Sequence, residues 1–286
     1  MHLSQNPSWL KEFQFSYERF EDISQSEFVK INKRLDNIQS DFPVVSIIIS
    51  AWNEETNILA CIASLSNTKA EFPIEIIVVN NNSTDKTQDV IDQFHLIKLF
   101  QPVQGCGPAR QLGQETAKGK YVLLADADCL YPKEWVSEMM KELKKPGTVC
   151  VYGRYSFISE EGFPRWKLFA LEKMKDVIAE ARHFNRPYLN AYGISMGYVR
   201  EYGLKVGYVM YKIWGDDGRL CFDLMKYGKI RQVKSSKARP WTGPRTLQRD
   251  GSFTQALKTR ILKEVRRFSS MFTSLPPHDT KTSGND

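Results

Sequence analysis

Two aspartates separated by one small residue end a short apolar run in the middle of the chain, Tyr121–Asp128. A short run that is apolar without alternation is typical of a strand buried in a parallel sheet. Ligands of open α/β sheets bind at the carboxyl ends of the strands, so Asp126 and Asp128 would project at a ligand-binding edge. Carboxylates at this spacing suit a hard divalent cation that also holds a phosphate. A ligand-free turn rich in aspartate explains these two residues alone equally well.

A second pair of carboxylates, Asp216 and Asp217, follows Trp214-Gly215 and precedes apolar residues at helical spacing. Acidic side chains at the start of a helix are stabilised by the helix dipole, which is the structural explanation of the pair. The chemical explanation is a general base, a carboxylate that takes the proton from an attacking hydroxyl group. The spacing alone leaves both explanations open.

Residues 44–152 alternate between apolar strands and amphipathic helices with short connections. This alternation predicts a mostly parallel sheet covered by helices on both faces. The loops at 51–55, 80–85 and 126–129 would lie along one edge and carry Trp, Glu, Asn, Ser, Thr and Asp side chains, which suit a nucleotide site. The glycine-rich dinucleotide and P-loop motifs do not occur, so those two kinds of nucleotide site are excluded. The predicted strands are 44–50, 74–79, 96–100, 121–125 and 148–152.

The 286 residues carry a net charge of +7, which fits an anionic substrate, an anionic membrane surface or nucleic acid. No nucleic-acid-binding module is recognisable, so we expect no nucleic-acid partner. Five scattered cysteines without a Cys-x-x-Cys pair argue against a disulfide framework or a structural zinc site and favour a reducing compartment. Without an apolar leader or a run of about 18 apolar residues, the expected location is cytoplasmic, either soluble or peripheral at the inner face of the membrane.

The composition divides the chain into three parts. Residues 1–42 are expected to form an N-terminal helical arm, 43–250 the main domain, and 251–286 a C-terminal amphipathic helix with a tail. Within 257–272 the basic residues face away from an apolar stripe, so this helix either docks on the domain or lies on an anionic membrane. The stripe consists of Leu257, Ile261, Leu262, Val265, Phe268 and Phe272.

Four segments resemble, in order and in spacing, the sequence blocks of the family 2 glycosyltransferases: Val45–Glu55, Ile76–Thr87, Gly107–Gly113 and Ala117–Asp128. The resemblance extends over about 44–235. It implies the α/β GT-A fold, a Rossmann-like, mostly parallel sheet flanked by helices, with a nucleotide-sugar half at 43–152 and a smaller acceptor half at 153–250. It also implies an inverting enzyme that moves a sugar from a nucleotide-diphosphate sugar to an acceptor hydroxyl.

The resemblance assigns the nucleoside contacts to the ends of the first two strands. Trp52, which follows Ser50 and Ala51 in the binding loop, stands where an aromatic side chain stacks on the nucleobase; core packing is its alternative role. Glu54 stands at the acidic position near the nucleoside. Asn80 replaces an aspartate that usually accepts from uracil. Because asparagine both donates and accepts, the nucleobase stays open, although a UDP-sugar is favoured.

At the diphosphate, the resemblance makes Asp128 the ligand of Mg²⁺ or Mn²⁺ and places Asp126 near the ribose or the water shell of the metal. Cys129 is expected to be structural, because hard cations prefer oxygen ligands. Arg110 stands at the basic position of the family, where a guanidinium suits bidentate phosphate contact. A salt bridge or a tether of the metal loop is the alternative role of Arg110.

On the acceptor side, the resemblance makes Asp217 the general base of a single displacement and Asp216 the residue that orients it. Gly193 and Ser195 would approach the sugar or the acceptor, or else form only a strand and turn. Trp214 would form an apolar wall for a sugar ring.

The Gln-x-x-Arg-Trp motif of processive family members does not occur, so single additions to a glycan or lipid-linked acceptor are expected, in cell-surface polysaccharide assembly. The basic loop 234–245 has no histidine for the metal, and Arg239 or Arg245 would close over the diphosphate. Two alternatives stay open. A sugar-1-phosphate nucleotidyltransferase would need a glycine-rich first loop, which Val45–Glu55 lacks. A non-catalytic nucleotide-sugar-binding protein would need no base such as Asp217.

Overall fold

The strands that form the centre of the fold are apolar on both faces. The computed structural model describes residues 5–211 and 215–249, together with Gln255, Lys258, Thr259 and Leu262. In the two longest strands nearly every residue is buried, as expected for a sheet covered on both sides. The strands are β1 (Val45–Ala51), β2 (Ile74–Asn80), β3 (Ile97–Phe100), β4 (Tyr121–Asp126), β5 (Cys129–Leu130), β6 (Thr148–Tyr152), β7 (Ser156–Phe157), β8 (Met196–Val199), β9 (Lys229–Gln232) and β10 (Trp241–Thr242).

The main sheet has the strand order β3-β2-β1-β4-β8-β6-β9. β8 runs antiparallel to both of its neighbours, β4 and β6, and the other neighbouring strands run parallel. The prediction of a mostly parallel sheet flanked by helices is therefore confirmed, and each of the five predicted strands lies within one residue of its expected bounds. A small second sheet, β5-β10-β7, joins the chain after β4 to the chain after β9.

The helices pack on the two faces of the main sheet. They are α1 (Gln25–Ile38), α2 (Ile58–Ser66), α3 (Thr87–Asp92), α4 (Cys106–Thr116), α5 (Trp135–Leu143), α6 (Arg165–Asn185), α7 (Arg200–Val206), α8 (Asp216–Leu224) and α9 (Arg245–Gln248). Because side chains alternate along a strand, Ile47 packs in the core beneath α1, α2 and α5, whereas Ile48 packs in the core beneath α4, α7 and α8. Both cores are thus built from consecutive residues of the same strands.

The N-terminal arm packs against the main domain. Ser24 caps α1 by accepting from the N–H of Ser26 (3.3 Å), and the buried side chains Phe28, Ile31 and Leu35 join the core under β1. The predicted division at residue 42 is not itself tested by this packing. The predicted C-terminal helix, 257–272, lies outside the described residues apart from Lys258, Thr259 and Leu262.

Helix α6 is fixed to the domain through two carboxylates on its inner face, Glu172 and Asp176. Arg165 and Glu172 form an ion pair whose side chains are 1% exposed, and Glu172 also accepts from the N–H of Phe157 (2.8 Å). Arg239 binds Asp176 through both nitrogens at 3.0 and 2.8 Å. Paired buried charges of this kind hold a helix in one position, because losing either partner would leave the other charge unsolvated.

None of the described helices combines the length and the apolar content that crossing a bilayer requires.

Candidate active site

The ends of three neighbouring strands form the edge of the site. β1 lies between β2 and β4, and its last residues pair in register with theirs: Ala51 with Asn80, and Ser50 with Asp126. The loops that follow these strands therefore leave the sheet side by side. Parallel pairing thus brings together residues that are about 30 and 75 positions apart in the sequence.

Trp52 lies on the first of these loops, and 48% of its surface is exposed. The loop is tied to its neighbour: the Asn53 N–H donates to Ser83 Oγ (3.0 Å), and the Thr84 N–H donates to Asn53 Oδ1 (2.8 Å). Asn53 has φ 54°, a left-handed conformation that asparagine tolerates better than most residues. The indole is therefore held half in water at the sheet edge, a placement that suits stacking on a base better than core packing.

The amide of Asn80 is engaged within its own loop. The side chain is buried, Nδ2 donates to Gln88 Oε1 (2.7 Å), and Oδ1 accepts from the Ser83 N–H (3.0 Å). The neighbouring Ala51 is also buried, and its carbonyl accepts from the N–H of Asn81 (2.8 Å). A contact between Asn80 and a nucleobase would require one of these two bonds to be exchanged, and that contact stays a prediction.

Asp126 and Asp128 lie beside Cys129 at this edge of the sheet; the space between the strand-end loops and Arg245 is called the cleft below. Each of these three residues has one ligand atom within 4.8 Å of those of the other two. The Asp126 N–H donates to the hydroxyl of Tyr131 (2.8 Å), which in turn donates to the carbonyl of Ile194 (3.1 Å). The side chains of Asp126 and Asp128 are 37% and 26% exposed. The backbone of Asp126 is thus held in place, and both carboxylates are reachable from solvent.

The donor set of this group fits a hard divalent cation. Its two carboxylates offer charged oxygen atoms, which Mg²⁺ and Mn²⁺ prefer. Burial, with the nearby charges of Asp128 and Asp126, raises the pKa of the Cys129 thiol, which donates to Asp128 Oδ1 (3.1 Å). Partial removal from water also raises the pKa of Asp126 to about 6, against the attraction of Arg110. Hard cations prefer the oxygen ligands of this group to its sulfur, and the structural role of Cys129 stays a prediction.

Arg245, the first residue of α9, reaches across the cleft to the predicted metal and nucleoside carboxylates. Its Nη2 lies 2.6 Å from Asp128 Oδ2 and 2.8 Å from Glu54 Oε1. Arg239, the other arginine expected near the diphosphate, is instead buried in its bidentate pair with Asp176. Of the two candidates, only Arg245 is therefore placed where it could contact a diphosphate.

Arg110 connects the two acid pairs. It is 4% exposed; Nη1 lies 2.8 Å from Asp216 Oδ2 and 2.6 Å from Asp217 Oδ1, and Nη2 lies 3.3 Å from Asp126 Oδ1. The buried guanidinium is thus compensated by carboxylates, which outnumber it three to one. The structure thus places Arg110 among carboxylates, an arrangement closer to the alternative role as a tether than to the expected phosphate contact.

Asp217 has the environment of a tuned base. Its Oδ2 accepts from the Gly193 N–H (2.8 Å) and its Oδ1 from Arg110. Burial, and then repulsion by Asp216 and Asp126, raise the pKa of Asp217 to about 7, with Arg110 and the Gly193 N–H opposing the rise. A carboxyl group whose pKa lies near neutrality is ionised at working pH yet basic enough to take a proton.

The predicted acceptor-side residues are separated by the structure. Gly193 contacts Asp217, as above, whereas Ser195 is 1% exposed and its Oγ accepts from Trp135 Nε1 (3.0 Å). The Ser195 hydroxyl is thus part of the core and does not face the cleft, which departs from its expected approach to the acceptor. Trp214 lies outside the described residues.

The close approach of the Arg110 guanidinium to the Gly193 backbone gives a testable prediction. A Cβ added there would lie 1.9 Å from Arg110 Nη2 and 3.1 Å from Asp217 Oδ2, so the guanidinium would have to leave its place. Gly193→Ala is expected to lower kcat about 10²-fold, because small displacements of a catalytic group have effects of that size, with the donor KM little changed. Steady-state kinetics check this result. Gly243→Ala is the control, since its added Cβ meets only the flexible Glu160 carboxylate, at 3.3 Å.

Two features of the site were not predicted from the sequence. Tyr192, next to Gly193, is 37% exposed and its ring packs edge-on against Tyr155 at 6.0 Å, so it offers an aromatic surface beside the base. The link from Arg110 to Asp216 and Asp217 spans more than 100 residues, and no local pattern marks it. A lone tyrosine in a turn likewise has no distinctive spacing.

Comparison with known proteins places the chain among glycosyltransferases. The family described as Glycosyl transferase family 2 matches residues 46–202. Glycosyltransferase AglE of Haloferax volcanii is 30% identical over 151 residues, which are 49% of this chain and 50% of AglE. A poly(ribitol-phosphate) beta-glucosyltransferase of Bacillus spizizenii is 29% identical over 129 residues, 42% of this chain and 20% of that protein. The chain thus spans half or less of these relatives.

A solved structure agrees with the fold. The mannosyltransferase PcManGT from Pyrobaculum calidifontis, determined with GDP-Man and Mn²⁺, superposes with a TM-score of 0.53 at 16% identity, over 83% of this chain and 75% of that one. At this identity the likeness concerns the fold, and it confirms the GT-A architecture predicted from the sequence. Because the family match covers more than half of the chain, the protein belongs to glycosyl transferase family 2.

Proposed function

We propose that this protein is an inverting, non-processive glycosyltransferase that moves a sugar from a nucleotide-diphosphate sugar to an acceptor hydroxyl by a single displacement. The observation that carries the proposal is the pairing of Arg110 with both Asp126 and Asp217. This pairing sets a carboxylate base beside the carboxylates of the diphosphate end of the cleft. A transferase needs its base and its diphosphate-binding carboxylates close enough to contact the acceptor and the donor at the same time, since proximity of the reactants supplies much of the rate enhancement.

In the proposed reaction Asp217 takes the proton from the acceptor hydroxyl. The hydroxyl oxygen forms a bond to the anomeric carbon while the bond from that carbon to the diphosphate oxygen breaks, and the nucleoside diphosphate leaves. The Gly193 N–H and Arg110 hold the Asp217 carboxylate in one orientation, so a lone pair can face the acceptor. Asp216 also binds Arg110. Its negative charge raises the pKa of Asp217 and so opposes the lowering of that pKa by the guanidinium.

Asp128 and Asp126 would hold the divalent cation, Mg²⁺ or Mn²⁺. When bound, such a cation neutralises charge that develops on the leaving diphosphate. Arg245 would add a second positive charge from the opposite side of the cleft, because its guanidinium already reaches Asp128 and Glu54. This places two sources of positive charge where the leaving group acquires negative charge.

The donor contacts in the proposal are the half-exposed ring of Trp52 on the base and Glu54 near the nucleoside, with Ser50 at the strand end. The family resemblance favours a UDP-sugar. The acceptor is proposed to be a glycan or lipid-linked chain in cell-surface polysaccharide assembly, which the poly(ribitol-phosphate) transferase among the relatives supports. A cytoplasmic location with membrane contact through 257–272 remains part of the proposal.

A panel of UDP-, GDP- and dTDP-sugars tests the function by measuring release of the nucleoside diphosphate with Mn²⁺ or Mg²⁺. At least one donor should be turned over when acceptor glycans are present, and EDTA should abolish the release. If no donor binds or reacts and EDTA has no effect, the proposal is wrong. A nucleotidyltransferase would instead release pyrophosphate from a nucleoside triphosphate and a sugar phosphate, and a non-catalytic binder would bind a donor without turnover.

A further inference from the structure

The outer face of α6 carries apolar side chains from one end to the other, with Lys173 among them at its middle. Trp166, Ala170, Val177, Ala181 and Phe184 follow one another at intervals that return to the same side of a helix, and all five are exposed. The larger three are 59%, 70% and 91% exposed. Trp166 and Phe184 stand five turns apart, about 27 Å, so the apolar stripe extends nearly from end to end. Isolated exposed apolar residues are ordinary, whereas an aligned series of this length, interrupted by Lys173, marks a contact surface.

The helix that carries this stripe is not loosely attached. Its opposite face contributes Leu168 and Leu171 to the core and is fixed by Glu172, which accepts from the Phe157 N–H, and by the buried pair of Asp176 with Arg239. Within the described part of the chain nothing covers the outer face. The stripe is therefore exposed to solvent in a fixed position. A surface that contacts its whole length must be at least about 27 Å across.

The charges along the helix favour an anionic surface. Every acidic side chain of α6 is committed to a cation: Glu172 and Asp176 are buried with arginines, and Glu180 is paired with Lys234 (2.7 Å) and with Arg154. The lysines on this side lie beside aromatic rings, Lys167 at 5.5 Å from Trp166 and Lys173 at 5.5 Å from Phe169.

The positive surface continues past the end of the helix. A cleft beside Phe184 is lined by Lys229 and Arg231, by Glu142, and by Lys234, which pairs with Glu180. The apolar stripe is thus bordered by cations along one side and at its C-terminal end.

The size of the stripe argues against a second copy of the chain as its partner. A face about 27 Å long and about 10 Å wide offers roughly 300 Å², whereas a stable protein interface buries about 800 Å² on each partner. A lipid surface has no such threshold, because each side chain enters the interface independently and binding grows with apolar area and positive charge. Tryptophan, phenylalanine and lysine are also the residues that favour the boundary between headgroups and acyl chains.

We propose that the outer face of α6 docks on an anionic lipid bilayer, with Trp166, Val177 and Phe184 entering the interface and Lys173 contacting lipid phosphates. This surface is distinct from the C-terminal segment 257–272, and it does not depend on the identity of the donor or the acceptor. Docked in this way, the helix lies parallel to the membrane plane.

Sedimentation with vesicles of phosphatidylcholine alone, or mixed with phosphatidylglycerol, tests the proposal on the full chain. The wild type is expected to bind the mixed vesicles. Val177→Glu should weaken that binding about tenfold or more, because it removes an apolar contact and adds a negative charge. Val29→Glu is the matched control: Val29, on α1, is 69% exposed against 70% for Val177, and its variant should bind as the wild type does. Lys173→Ala should weaken binding about fivefold, and only to the mixed vesicles.

Other results would overturn the proposal in distinguishable ways. Wild-type protein that ignores both kinds of vesicle contradicts it directly. If Val177→Glu and Val29→Glu bind as well as the wild type, attachment is through another surface, such as 257–272. If lipid-free wild type is a dimer and Val177→Glu a monomer, the stripe is a self-association surface. If Trp166 and Phe184 are protected from hydroxyl radicals in the lipid-free monomer, the chain itself covers them. Thermal unfolding shows whether each variant is folded.

Discussion

Asp217→Asn is expected to lower kcat by about 10²–10⁴-fold while binding of the donor is retained. The factor is the one usually lost with a general base. The carboxamide has nearly the shape of the carboxylate but cannot take a proton from the acceptor. It can still accept from Arg110 through its oxygen, so the guanidinium keeps contacts to Asp216 and Asp126, although the amide nitrogen then cannot accept from the Gly193 N–H. The donor site, on the opposite side of Arg110, should be little changed. Turnover and calorimetric titration with donor and Mn²⁺ measure the two effects separately.

The matched control for this variant lies on the same helix. Asp223→Asn changes a carboxylate on α8 whose partner is Arg219 at 3.0 Å, away from the cleft, and it should retain nearly full kcat. Asp216→Asn should give an intermediate loss, since Asp216 shares the guanidinium but does not contact Gly193. Full activity in Asp217→Asn would remove Asp217 as the base and contradict the proposed displacement.

The pH profile follows from the same group. Burial raises the pKa of Asp217 from its ordinary value of 3.8 to about 7, so the ionised, active base is lost as pH falls below about 7. The kcat/KM should therefore rise with pH up to about 7 and then level off, and the residual activity of Asp217→Asn should lack this rise. For stability the sign is the reverse: a raised carboxyl pKa means that the folded state binds the proton more tightly. Its contribution to folding stability declines as pH rises between about 4 and 7.

The sheet and the strand-end loops could be predicted because local sequence determines them. Uninterrupted apolar runs such as Ile47–Ile49 give buried strands, and a helix between consecutive strands favours parallel pairing of those strands. The position of Asp126 opposite Ser50 follows from that pairing. The same logic predicted where α8 begins, since the acid pair 216–217 and the apolar spacing after it mark a helix start.

The partners that the side chains bind inside the site could not be predicted in this way. Which acid Arg110 would face depends on how α8 approaches α4, and that packing involves residues more than 100 positions apart. Ser195 and Gly193 share one short motif, yet the half-turn between them directs one toward the base and the other into the core against Trp135. Nothing in the basic loop distinguished Arg239 from Arg245 as the residue near the diphosphate. Their roles differ because Arg239 binds Asp176, whereas Arg245 binds Asp128.

Asp128→Asn is expected to raise the concentration of Mn²⁺ needed for half-maximal turnover by about 10- to 100-fold or more. Loss of a group that merely supports a metal ligand has effects of this size, and removal of a charged ligand should exceed them. Apparent donor affinity should fall with it, because the cation and the diphosphate bind as a pair. Titration of nucleoside-diphosphate release against Mn²⁺ measures the first effect, and donor calorimetry at saturating and limiting Mn²⁺ measures the second.

The structure also predicts how this variant should differ from one at Arg245. Arg245 Nη2 and Asp128 Oδ2 lie 2.6 Å apart. Asp128→Asn therefore frees Arg245 to bind Glu54 alone, whereas Arg245→Gln leaves Asp128 with its full charge. Arg245→Gln should therefore weaken the donor without raising the Mn²⁺ requirement, because the guanidinium competes with the cation for Asp128. Asp36→Asn, far from the cleft on α1, is the neutral control. If Asp128→Asn shows the wild-type Mn²⁺ dependence, then Asp128 does not hold the cation, and the positive charge at the leaving group must come from Arg245.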